Sequence, residues 1–175
     1  MTSIVVVLSG SALAGAAPEQ LKGKSIVVDW TVSRQQKNEG WTDFRTVIGS
    51  HHLSVYVSTA ARVFSKLTNQ TRAGSGSTEQ VAGEGGNGPY ATRTPSFSGQ
   101  TMTIISENKG GAGRVIVDFG AGFSSCSAKA TLAFEEGKTS KSFSPITHKW
   151  VEIKSAAPSG ASCSIQSGNV LGGPT

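Results

Sequence analysis

Apolar and polar residues alternate with a period of two along much of the chain, the pattern of strands with one buried face. Ile26, Val28, Trp30 and Val32 share one side, with Ser25, Asp29, Thr31 and Ser33 falling mostly on the other. Leu53, Val55 and Val57 alternate with Ser54, Tyr56 and Ser58, and Val115, Val117 and Phe119 with Arg114, Ile116 and Asp118. The longest apolar stripe is Cys126, Ala128, Ala130, Leu132 and Phe134, against Ser127, Lys129, Thr131, Ala133 and Glu135. Val151 and Ile153 oppose Glu152 and Lys154, and Cys163 and Ile165 oppose Ser162, Ser164 and Gln166. Further strands are expected over residues 44–48, 62–68 and 101–106. Gly49-Ser50 reads as a tight connection between two strands, and Asn108-Lys109-Gly110-Gly111 as the turn of a second hairpin. Sustained helical spacing is missing; even around Ala60-Ala61, the nearby Val63, Phe64 and Thr68 favour strand. The expected fold class is therefore all-β, with strands in mostly consecutive antiparallel order.

Two segments interrupt the alternation. Residues 72–95 are rich in Gly, Ser and Thr, carry little apolar surface to bury, and are expected as a flexible loop. Residues 135–147 form a shorter polar connection with Phe143 and Ile146 as anchors, and residues 168–175 a frayed tail. No shift in composition divides the chain, so a single β domain is expected over residues 18–175. A meander of so many strands must protect its edges, either by closing or by pairing into two layers. A lipocalin-like β-barrel fits the consecutive order, with a β-sandwich as the alternative.

The first 17 residues have a different character. Ile4-Val5-Val6-Val7-Leu8 followed by Ala12-Leu13-Ala14-Gly15-Ala16-Ala17 reads as the remnant of a secretory signal peptide. Small residues stand at the required places for cleavage after Ala14 and also after Ala17. No Lys or Arg precedes the apolar run, as would follow from a start placed too far downstream or a truncated chain. The alternative is that residues 4–8 form a first strand. The run is too short to span a bilayer and no later segment is a candidate, so no transmembrane segment is expected. No Cys follows the run, which excludes a lipoprotein anchor there.

Cys126 and Cys163, the only two cysteines, each sit in a Ser-Cys-Ser tripeptide and point to the apolar side of their strands. An even count behind an export leader predicts a structural disulfide between them. Such a bridge contributes about 4 kcal/mol by loop-closure entropy, less any strain. The alternative is two buried free thiols behaving as small hydrophobes. Without a C-x-x-C there is no basis for redox activity.

The net charge of +5 comes from 16 basic and 11 acidic residues. It permits an anionic envelope component as partner. The basic residues are scattered and not interleaved with aromatics, which argues against specific nucleic-acid binding. Gly83, Gly85 and Gly88 match G-x-G-x-x-G formally, but Pro89 follows and no helix can receive a phosphate, so no nucleotide cofactor is implied. His51-His52 are adjacent, and neighbours in a strand face opposite ways; they read as turn residues at a strand entrance, not as a metal site. No G-x-S-x-G occurs, and Asp29, Asp43, Asp118 and Glu135-Glu136 stand in no recognisable catalytic pattern. Asn69-Gln70-Thr71 is a sequon that matters only in a eukaryotic secretory route. No catalytic, cofactor or metal residue is expected; the cysteines are the only assigned site.

The stretches from Leu21 to Trp30, from Leu53 to Ser58, and from Gly110 through Val117-Asp118-Phe119 to Ser127 resemble a family of small, uncharacterised exported proteins of soil and symbiotic bacteria. The resemblance implies a periplasmic or secreted location and carries over no activity. The leading expectation for function is an exported, non-catalytic binding or interaction protein on a β scaffold. The alternatives are a carrier of a small apolar ligand inside a barrel, and a secreted hydrolase. The hydrolase requires His52 or His148 within hydrogen-bond reach of a Ser and an Asp.

Overall fold

The computed structural model describes residues 15–39, 42, 44–75, 78–86, 95–108, 111–134, 139–141, 149–154 and 158–172. The fold is all-β and antiparallel, as the alternation predicts. The long first hairpin organises it. Strand β1, Lys24–Asn38, and β2, Phe44–Val57, pair in unbroken register from Lys24↔Val57 to Lys37↔Phe44. Fifteen residues of β1 span about 50 Å at the usual rise. The expected connection at Gly49-Ser50 is corrected: the strand runs straight through it. Gly49 is held by Val32 on one edge and Thr71 on the other, so the ladder leaves nothing to turn.

Strand β3, Val63–Ser75, adds to β2, and β4, Thr78–Gly86, adds to β3. Both run into the segment expected as a loop. A backbone ladder requires no apolar side chains, so a Gly-rich stretch beside a formed strand extends the sheet. The irregularity between Thr71 and Arg72 absorbs one extra residue of β4. Gly83 and Gly85 are strand residues here; residues 76–77 and 87–94 lie outside the described residues.

The second sheet is a meander. It comprises β5, Ser96–Ser98; β6, Thr101–Asn108; β7, Gly111–Phe119; and β8, Cys126–Phe134, in that spatial order. The β6–β7 hairpin turns where expected, with Asn108 opposite Gly111. The chain then returns to the first sheet with β9, Thr139–Lys141; β10, Lys149–Lys154; and β11, Ser162–Ser167. Strand β9, inside the expected polar connection, pairs with β10. Strands β10 and β11 share the free edge of β1, β10 along its end and β11 along its start. Between Asn38↔Trp150 and Asp29↔Ser162, eight residues of β1 correspond to eleven of this final course, a register difference of three residues.

The inner faces of the two sheets share one core. Ile26, Val28, Trp30 and Val32 of β1 and Leu53, Val55 and Val57 of β2 join Met102, Ile104, Val115, Val117, Phe119 and Ala130 of the second sheet. Most are fully buried, and each such aliphatic side chain contributes about 1.5–3 kcal/mol. Among the described residues neither strand path closes on itself. Among the described residues one backbone bridge joins the sheets, Ala128↔Ala161, beside the Cys126–Cys163 disulfide, Cα atoms 5.7 Å apart. The two cysteines lie in the register of that bridge, two residues along each strand, so the bond joins facing strand positions. The predicted disulfide is present and its cysteines pack on the core.

Both ends of the domain are pinned. The expected leader residues 1–14 lie outside the described residues, but Gly15–Ala17 belong to the fold: Gly15 bridges Phe97, and Ala17 is buried in the core. A 3-10 turn at Glu19–Leu21 then buries Leu21 completely. The start of the expected frayed tail is also held. Buried Ser25 donates its hydroxyl to the carbonyl of Gly168 (2.7 Å) and accepts from the amide of Val170 (3.2 Å). Among the described residues no helix is long and apolar enough to cross a membrane.

Candidate functional site

The continuous register of β1 and β2 sends the adjacent histidines to opposite faces of the sheet, and neither lies in a turn. His52 faces outward, directly opposite Asp29. Its Nδ1 lies 2.7 Å from Asp29 Oδ1, and its Nε2 lies 3.0 Å from the hydroxyl of Ser54, two residues further on the same face. An ionised carboxylate only accepts, so Nδ1–H donates to Asp29, and in the neutral ring Nε2 accepts from Ser54. Carboxylate, imidazole and hydroxyl therefore form one hydrogen-bonded line. This is the connectivity that the hydrolase alternative requires, and it involves His52, not His148, which lies outside the described residues.

The surroundings of that line are unlike a hydrolytic centre. Ser54 is 4% exposed. Strand β2 has a partner on each edge over His52–Ser54, so its amides there are engaged in the ladder. An oxyanion hole needs donors aimed at the reacting carbonyl oxygen, usually backbone N–H groups. Lys66 stands opposite Ser54 in β3, on the same face. Asp118, the other aspartate expected on a polar face, accepts from the hydroxyl of Thr101 at 2.9 Å.

His51 faces inward and stacks on Trp30, with ring centroids 4.9 Å apart and planes 6° from parallel. Gly49 makes the room: a Cβ there would come within 3.1 Å of His51 Nε2. Burial, with a smaller contribution from the charge of Arg34, lowers the pKa of His51 to about 4. Beyond this stack the inner face mixes polar side chains with the buried Val47, Ala73 and Trp150. Arg45 Nε donates to Oε1 of the fully buried Gln36 (2.7 Å), and its guanidinium lies 4.1 Å from the ring centre of Trp150.

The outer face beyond Thr31 differs again. Phe44, Ile48 and Ile153 are 57%, 41% and 39% exposed. Lys37 is directly opposite Phe44, its ammonium 5.8 Å from the ring centre, and Arg72 of β3 is directly opposite Ile48. Val151 of β10 flanks Lys37 from the other side. Apolar side chains and cations thus share one outward end of the larger sheet.

Among the described residues no three His, Cys, Asp or Glu side chains are grouped to hold a metal. Of the residues singled out in the sequence, the structure brings together Cys126 with Cys163, and Asp29 with His52. Alternation along one strand could not reveal the second pairing, because those residues are 23 apart. Only the register of the β1–β2 hairpin makes them neighbours. No known protein family, curated protein or solved structure matches this chain.

Proposed function

We propose that this is an exported, non-catalytic interaction protein that docks on an anionic lipid surface through the outward end of its larger sheet. One observation carries the reading: Phe44, Ile48 and Ile153 stand exposed on one face beside Lys37 and Arg72. Grouped exposed apolar side chains mark interaction surfaces, and the cations among them favour a negatively charged partner with an apolar interior. The disulfide accords with an oxidising compartment outside the cytoplasm. Carriage of an apolar ligand in a closed barrel has less support, because Val28, Val55, Met102 and Val117 occupy the shared core fully buried.

Sedimentation with vesicles tests the proposal. The protein should pellet with phosphatidylglycerol vesicles and stay in solution with phosphatidylcholine, and added salt should weaken the binding. Phe44→Ser together with Ile48→Ser should weaken binding about tenfold while leaving the fold intact. No preference for the anionic lipid, or an unaffected double variant, removes the reading.

The Asp29–His52–Ser54 line favours a second reading, a secreted hydrolase with Ser54 as nucleophile. The burial of Ser54 and the engaged amides around it weigh against it. A fluorophosphonate should label Ser54, seen as an added mass on its peptide, and an unlabelled protein excludes this reading.

A further inference from the structure

The sequence offers two places to end the leader, after Ala14 and after Ala17, and they differ by Gly15-Ala16-Ala17. The fold uses those three residues. The amide of Gly15 donates to the carbonyl of Phe97 at 3.2 Å, forming an isolated antiparallel bridge to β5. A Cβ at residue 15 would lie 2.7 Å from that carbonyl oxygen, so glycine is required by the close approach. Ala17 is 7% exposed and belongs to the core cluster that includes Phe97 and Leu21. Strand β5 is an edge of only three residues, and the bridge from Gly15 supplements its pairing with β6. A chain beginning at Pro18 would lose the bridge and the buried methyl group together.

The chemistry of cleavage points the same way. Ala12-Leu13-Ala14 places alanine at the first and third positions before the bond, the pattern a leader peptidase reads. Cleavage after Ala17 would put Pro18 on the other side of the bond. Proline has no N–H and a fixed φ, so it fits poorly where a protease holds its substrate extended by backbone hydrogen bonds.

We infer that the leader is removed between Ala14 and Gly15, so that the mature chain begins at Gly15, already docked against Phe97. This rests on the exported reading. Water is added across the Ala14–Gly15 peptide bond, leaving a carboxylate on Ala14 and an ammonium on Gly15. That ammonium keeps a proton to donate to the Phe97 carbonyl, now as a charge-assisted bond.

The test is to express the full chain in a bacterium with a leader-peptidase pathway and measure the intact mass of the protein released from the membrane. A mass corresponding to a chain that starts at Gly15 is expected. In Ala14→Tyr, released protein should fall about tenfold because a large side chain blocks the first position before the bond. Released protein starting at Pro18, or at any other residue, overturns the inference and leaves export standing. So does undiminished release of the Ala14→Tyr variant. A chain given two lysines after Met1, which supply the missing positive start, and still retained at full mass in the membrane or cytoplasm sinks the exported reading and this inference with it.

Discussion

The two halves of the β1–β2 hairpin share one ladder and one register, yet one inner face is wholly apolar and the other mixed. Near its open end β1 turns Ile26, Val28, Trp30 and Val32 inward, and the second sheet covers them. Toward the turn the same inward positions hold Arg34, Gln36 and Asn38, and β2 contributes Arg45, His51 and the buried Val47. The ladder is indifferent to this change, because backbone pairing is the same under any side chain. The core is not: its apolar members on this hairpin end at Val32 and Leu53. Beyond them, the fully buried Gln36 accepts a hydrogen bond from Arg45. The stacked pair Trp30 and His51 marks the border.

The largest expected break in this contrast is Leu53→Ala. Leu53 is 1% exposed, and its truncation should cost about 3 kcal/mol in a urea titration. A loss below about 1 kcal/mol would mean that the covered half collapses freely around the cavity.

Next comes pH. His51 has its pKa lowered to about 4 in the fold, against 6.5 in an unfolded chain. The unfolded state therefore binds the proton first. The contribution of neutral His51 is complete above pH 6.5 and is lost as pH falls to about 4. Because the ring is only partly buried, screening reduces the effect to about 1–2 kcal/mol. His51→Phe keeps the stack on Trp30 and should flatten stability over that range. A variant as acid-sensitive as the parent would assign the effect to other groups.

The smallest effect should come from Ile48→Ala, five positions from Leu53 in the same strand but 41% exposed. It should change stability by less than about 0.5 kcal/mol. A cost approaching that of Leu53→Ala would show the outward end to be covered, and the contrast would fail.

The same two halves explain what was legible in the sequence. Alternation identified the covered strands, since the face turned to the second sheet carries an apolar residue at every other position over residues 26–32, 53–57 and 115–119. It also placed both cysteines on the apolar side, which is why the disulfide could be anticipated. Where pairing is carried by backbone alone, the side chains leave no period to find. Thr78–Gly86 therefore read as a loop, and Gly49-Ser50 as a turn within what is one strand. The Asp29–His52–Ser54 line was hidden for another reason: its parts were visible as polar-face residues, but only the hairpin register makes them neighbours. Gly15 was obscured by its surroundings, since a small residue between Ala12-Leu13-Ala14 and Ala16-Ala17 carries no mark of the carbonyl it must fit against.

The seam between β8 and β11 has a consequence for self-association. Each strand has one edge occupied, β8 by β7 and β11 by β1, and turns the other toward its neighbour across the seam. A single backbone bridge at Ala128↔Ala161 would guard those edges weakly against a strand from another molecule. The covalent bond two residues away holds them against each other. Besides opposing unfolding, it keeps two strand edges, each a ready-made template for chain addition, turned toward each other.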